Sequence, residues 1–156
     1  VTKDTSEERW RKHEEVGREV EKRVPGLKFS RSGYRGACSF GSMTPWEARG
    51  SLDGHPFYAR YRMDTAAMSV WAPGTELDDY ELGDLMDTEY SSVIRDFYGD
   101  QYRGYIETDA DEMVAYFSRL ISKLQPTDPD TNPNHTQALS RYIEAYTAAY
   151  KAKTKS

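Results

Sequence analysis

Histidine, cysteine and clustered carboxylates are the side chains of this chain best suited to chemistry, and their spacing decides which chemistry. There are three histidines, His13, His55 and His135, and one cysteine, Cys38. No two histidines share a metal-ligand spacing such as His-x-x-x-His. His55 flanks a turn and reads as a surface residue. Cys38 reads as a small buried hydrophobe rather than a nucleophile, because free cysteine is among the most buried residue types. The segment DPDTNPN, from Asp128, offers oxygen donors like those of a calcium loop. Such a loop needs glycine at its sixth position and glutamate at its twelfth, where this chain has Pro133 and Leu139. The turn-forming habit of Asp, Asn and Pro explains the segment instead.

The remaining acids fall into two groups. Asp109, Asp111 and Glu112 sit where acids in a first helical turn complement the helix dipole. Asp78, Asp79, Glu81, Asp84 and Asp87 read as a solvated acidic face and as a candidate docking surface. No Gly-x-Ser-x-Gly elbow, phosphate-binding Gly-x-x-x-x-Gly-Lys loop or Gly-x-Gly-x-x-Gly fingerprint occurs. The sequence therefore predicts no catalytic residue, no metal ligand and no cofactor. A small hydrolase built from carboxylates distant in the chain is the remaining enzymatic alternative.

One hairpin organises the elements that must position these residues. In PWEARGSLDGHPFYARYR, residues 45–62, Asp53-Gly54 separates two alternating segments, and Asp-Gly suits a type I′ turn. A two-residue loop sets Leu52 opposite His55, Gly50 opposite Phe57, Ala48 opposite Ala59 and Trp46 opposite Tyr61. Those pairs form an apolar side, since strand side chains alternate. The other side carries Ser51 with Pro56, Arg49 with Tyr58, and Glu47 with Arg60 as a cross-strand ion pair. With Arg62, this side gathers Arg49, Tyr58 and Arg60 into a second candidate binding surface. Arginine and aromatic residues on a sheet suit single-stranded nucleic acid; they also anchor protein interfaces.

Around the hairpin, a Thr5-x-x-Glu8 capping box predicts a helix to about Val24, stopped by Pro25-Gly26. Its apolar stripe is Trp10, Val16, Val20 and Val24. Ser32-Gly33 reads as a second tight turn, setting Phe29 opposite Gly36 and Leu27 opposite Cys38. Asp64-Thr65 is a further turn, and AMSVW, ending at Trp71, is a fifth strand. Short amphipathic turns are expected over residues 78–86, a helix over Glu89 to Tyr98, and a sixth strand at QYRGYIE. A helix capped by Thr108 carries Met113, Phe117, Leu120, Ile121 and Leu124 at core spacing. A polar linker, Gln125 to His135, leads to a last helix with Leu139, Tyr142, Ile143, Tyr146, Ala149 and Tyr150 along one face. KAKTKS reads as a frayed tail.

The fold class is α+β: a mostly antiparallel meander of five to six strands, an N-terminal helix, and two C-terminal amphipathic helices on one face. At 156 residues the chain is expected to be one domain. Within it, 1–26 is helical, 27–107 is the sheet region with an acidic insertion at 76–100, and 108–156 is helical. A lone cysteine, a charged N-terminus and no long apolar run predict a soluble, cytoplasmic protein with no membrane contact. The net charge of −5 is uneven. Leu27 to Arg62 carries six bases and two acids; Glu76 to Glu112 carries thirteen acids and two bases.

With its DGHPFYARYR hairpin in a small acidic chain, the sequence resembles uncharacterised small proteins of actinobacteria and their phages. The resemblance implies no activity and points towards an accessory or phage-encoded protein. The functional expectation is a non-enzymatic protein-binding module, an inhibitor or adaptor that docks its acidic surface on a basic protein partner. The alternative is a nucleic-acid binder working through Arg49, Tyr58, Arg60 and Arg62.

Overall fold

The reversal at Asp53-Gly54 needs two consecutive positive φ angles, and the chain has them, 50° at Asp53 and 80° at Gly54. The structure is a computed structural model and describes residues 5–35, 46–62, 65–76, 84–91, 110–127 and 133–154. In chain order the elements are α1 (Thr5–Arg23), β1 (Leu27–Arg35), β2 (Trp46–Leu52), β3 (His55–Arg62), β4 (Thr65–Val70), β5 (Met86–Ser91), α2 (Ala110–Lys123), β6 (Gln125–Pro126) and α3 (Pro133–Thr154). The strands form one antiparallel sheet in the order β1-β2-β3-β4-β5-β6, a meander in which each strand pairs with its neighbours in sequence. The fold is α+β, with an N-terminal helix and two C-terminal helices.

The register of β2 and β3 is the one the turn dictates: Leu52 opposes His55, Gly50 opposes Phe57, Ala48 opposes Ala59 and Trp46 opposes Tyr61. Alternation then sends Ala48, Leu52, Phe57, Ala59 and Tyr61 inward, all with no exposed surface. Ala66, Met68 and Val70 of β4 continue the inner face, and Met86 of β5 extends it. α2 covers this face with Met113, Phe117, Leu120 and Ile121, all fully buried. Phe29, Phe57 and Phe117 meet as an aromatic trio, with centroids 6.3 Å apart for Phe29–Phe57, 6.2 Å for Phe57–Phe117 and 5.5 Å for Phe29–Phe117. α1 packs Val16, Val20 and Val24 into the same core. From α3, Leu139 and Tyr146 are buried there, and Tyr142, Ile143 and Tyr150 pack against its edge.

Gly50 makes room for a neighbouring strand's backbone. A Cβ there would lie 1.9 Å from the carbonyl oxygen of Lys28 and 2.8 Å from Cα of Phe29. The close approach is made by the β1 backbone, which crosses Gly50 and carries Phe29 onto the core.

Four local expectations are corrected. Ser32-Gly33 is not a hairpin turn: β1 runs through it and pairs with β2 at both ends, Leu27 with Leu52 and Arg35 with Glu47. The register shifts between Phe29 and Tyr34, so the flexible pair serves as an irregularity within a strand rather than a reversal. Gly36 and Cys38 lie outside the described residues. The helix expected from Glu89 does not begin there, because Glu89, Tyr90 and Ser91 belong to β5. Met86, Thr88 and Tyr90 alternate inward along β4, a period-two pattern that makes residues 86–91 a strand. Residues 92–98 lie outside the described part, as do 77–83, QYRGYIE, Thr108 and the connection at 63–64. The linker reading is corrected at its start, where Gln125–Pro126 is a strand of the sheet, Asp87 pairing with Gln125 and Met86 with Pro126. Finally, α3 starts at Pro133 and continues to Thr154, so most of KAKTKS is helical. Pro at a helix start fits its missing N–H. The Thr5/Glu8 cap and Trp10 fall in α1, but their side chains are outside the described part.

Candidate functional site

The sheet's outer face brings together residues from both candidate surfaces. The ladder places Arg49 opposite Tyr58, Tyr58 opposite Ser69, and Ser69 opposite Asp87. A parallel row runs Glu47, Arg60, Ala67, Glu89. Arg62 ends β3 opposite Thr65, which in turn opposes Ser91. Arg49, Tyr58, Arg60 and Asp87, drawn from surfaces treated as separate in the sequence, thus share one face. Asp84 precedes β5, and its carbonyl accepts a hydrogen bond from the Thr127 hydroxyl. Asp78, Asp79 and Glu81 lie outside the described residues.

Polar contacts order the basic half of this face. The Tyr58 hydroxyl donates to Oε2 of Glu47 at 3.0 Å. The Arg49 guanidinium lies over the Tyr58 ring, 5.2 Å from its centroid, in cation–π geometry. Partial burial, then the bond to Glu47 and its negative charge, push the Tyr58 hydroxyl up to about 12 against the opposing pull of Arg49 and Arg60. The expected Glu47–Arg60 pairing is present as strand register, while a Glu47 carboxylate oxygen accepts from Tyr58. At the acidic half, partial burial raises the Asp87 carboxyl above its ordinary range, and the like charges of Asp84 and Glu89 add to the rise.

Small side chains on β4 leave a depression of about 120 Å³ between the halves, lined by Tyr58, Arg60, Ala67, Ser69, Asp87 and Glu89. Ala67 and Ser69 form its floor, with the arginine and tyrosine on one side and the two carboxylates on the other. Its size falls below the ~300 Å³ of small-ligand pockets. The arrangement suits a protruding polar side chain of a protein partner.

A second cavity, missed from sequence, opens where α1 ends beside α2 and α3. It measures about 500 Å³ and is lined by Pro25, Val114, Ala149 and a ladder of Tyr142, Tyr146 and Tyr150. The tyrosines stack at 6.1 and 6.3 Å with interplanar angles of 17° and 15°. Arg23 and Asp111, paired at 2.6 Å, and Lys153 supply its charged lining. Two of its hydroxyls are committed: Tyr142 donates to the Pro25 carbonyl, and Tyr146 bonds Ser118. Burial pushes both hydroxyls up, so neither is poised for proton transfer at neutral pH. The i, i+4, i+8 spacing of the tyrosines was the available signal, but the same spacing also reads as a core stripe. Ala149, expected on the packed face, is exposed.

His55 is corrected as well. It is 4% exposed, not a surface residue, and its Nδ1 lies 2.9 Å from the Asp53 carbonyl oxygen. The register that sets it opposite inward-facing Leu52 accounts for this, and His135 of α3 approaches it with ring centroids 6.3 Å apart.

Among the described residues no group of three or more His, Cys, Asp or Glu is placed to hold a metal ion. Nor is any described helix long and apolar enough to cross a membrane. No protein-family model matches the chain, and neither the curated proteins nor the solved structures provide a match.

Proposed function

We propose that the protein is a non-enzymatic protein-binding module, an accessory inhibitor or adaptor, that docks through the outer face of its sheet. The observation that carries this reading is the ordered cluster of Arg49, Tyr58 and Glu47 beside Arg60, facing Asp87 and Glu89 across a shallow floor. Arginine and tyrosine held in place before binding lose little side-chain entropy on docking, a common property of interface anchors. The partner surface is of mixed sign, with basic groups meeting Asp87 and Glu89 and acidic groups meeting Arg49 and Arg60. This refines the expectation of an acidic surface on a basic partner, because the described acids of β5 share their face with the arginines.

The same geometry weighs against nucleic acid. Arg49 already stacks on Tyr58, and Glu47, Asp87 and Glu89 repel phosphate on the face a strand would follow. A hydrolase reading has Asp87 and Glu89 as neighbouring acids, yet their depression is too small to enclose a substrate.

The test is capture of a partner from the native host with the full chain, followed by binding measurements on purified components. Tyr58→Ala and Arg60→Glu each weaken binding by at least about 10-fold, and affinity falls as salt rises. A partner held equally by Arg60→Glu overturns the proposed face. In parallel, a mobility-shift titration at low salt shows no shift of single- or double-stranded probes. A clear shift lost in Arg60→Glu favours the nucleic-acid reading instead.

A further inference from the structure

The junction of the β2–β3 hairpin with the first turn of α3 holds a buried imidazole whose chemistry the sheet face does not use. A carbonyl oxygen can only accept, so the 2.9 Å contact of His55 Nδ1 with the Asp53 carbonyl assigns the proton to Nδ1. In the neutral ring Nε2 then carries the lone pair. That atom is buried without a hydrogen-bond partner, in a residue 4% exposed. Buried polar atoms are almost always satisfied, so an orphan of this kind calls for an account. His135, exposed at the start of α3, brings a second imidazole to 6.3 Å between centroids, with the ring planes at 83°.

We propose that His55 and His135 form a two-histidine site for a borderline divalent transition-metal ion of the Zn²⁺, Ni²⁺ or Cu²⁺ class. Three features carry it. A histidine whose Nδ1–H is held by a carbonyl is the tautomer that offers Nε2 to a metal, with the carbonyl fixing the ring. Imidazole nitrogen selects these ions over Mg²⁺ and Ca²⁺, which require oxygen ligands. The spacing is within reach: with bonds of ~2.1 Å to one nitrogen of each ring, a single ion held on the line between the rings spans centroids up to ~6.5 Å apart. A turn of the exposed His135 side chain shortens that span towards a tetrahedral angle. Lacking a third described His, Cys, Asp or Glu ligand, the ion completes its shell with water, and the site is exchangeable rather than a structural staple.

Calorimetric titration of the full chain with Zn²⁺, in excess Mg²⁺ to occupy surface carboxylates, tests the assignment. One saturable site is expected. His135→Gln, an exposed change that leaves the fold intact, weakens it at least about 10-fold, whereas His13→Gln on α1 leaves it unchanged. Because His55→Gln risks the fold, the second readout keeps the native residue: side-chain nitrogen NMR, in which Zn²⁺ shifts His55 Nε2 far more than Nδ1. No saturable binding below about 1 mM, a smaller loss in His135→Gln, or an unshifted Nε2 overturns the proposal.

Discussion

The two faces of β3 are one residue apart and are held by different physics. Phe57, Ala59 and Tyr61 point inward and have no exposed surface, while Tyr58 and Arg60 point outward and stay partly exposed. The inner face is organised by packing, with Phe57 against both Phe29 and Phe117. The outer face is organised by directional contacts, Tyr58 to Glu47 and Arg49 over Tyr58. Burial supplies most folding free energy, whereas polar contacts near the surface each contribute little net. A binding face can therefore vary without endangering the fold, provided the inner face keeps the register that aims it.

The largest break in that comparison comes from the inner face. Phe57→Ala removes a fully buried ring and leaves a cavity beside Phe29 and Phe117. The expected loss is about 3–5 kcal/mol, read as a lower urea midpoint at unchanged slope. A loss below about 1 kcal/mol would mean that the two faces do not differ as described. Gly50→Ala tests the same face through backbone rather than side chain. Its methyl would meet the Lys28 carbonyl at 1.9 Å, and a backbone atom cannot step aside as a flexible side chain can. β1 must move away from β2, at an expected cost of about 2–3 kcal/mol. Hydrogen exchange should localise the damage to the amides of β1 and β2, sparing β4.

This contrast also explains what could be read from the chain. The hairpin was legible because Asp53-Gly54 dictates both the turn and, through a period of two, the face of every residue from Ala48 to Tyr61. The same pattern put His55 inward, but its place beside a turn suggested the surface; the chain segment that buries it, the start of α3, lies eighty residues away. Ser32-Gly33 misled because a flexible pair fits a bulge as well as a turn, and only the presence of β2 as a partner decides between them. β5 was hidden because its outward residues, Asp87 and Glu89, belong to an acidic run, and Met86-Asp-Thr-Glu-Tyr-Ser offers too few apolar positions to signal a strand alone. The shared outer face was illegible for the same reason: without β5 in the sheet, nothing sets Asp87 in line with Tyr58.

The smallest effect belongs to the outer face, and pH separates it from packing. Tyr58→Phe removes the hydroxyl that donates to Glu47 while keeping the ring under Arg49. The expected loss at neutral pH is about 1 kcal/mol. The folded chain holds this phenolic proton more tightly than the unfolded chain does, at about 12 rather than the ordinary tyrosine value of 10.0. A raised folded value stabilises below the unfolded one, and that contribution disappears as pH climbs through the folded one. The gap between the native chain and Tyr58→Phe should therefore be constant up to about pH 9 and close over about pH 10–12, whereas the ring lost in Phe57→Ala leaves no titrating group to close its gap. Urea unfolding of the three proteins at stepped alkaline pH measures both gaps. If the Tyr58→Phe gap keeps its neutral value at pH 11, the hydroxyl is not tied to Glu47 in solution, and the cluster that orders the proposed docking face loses its central contact.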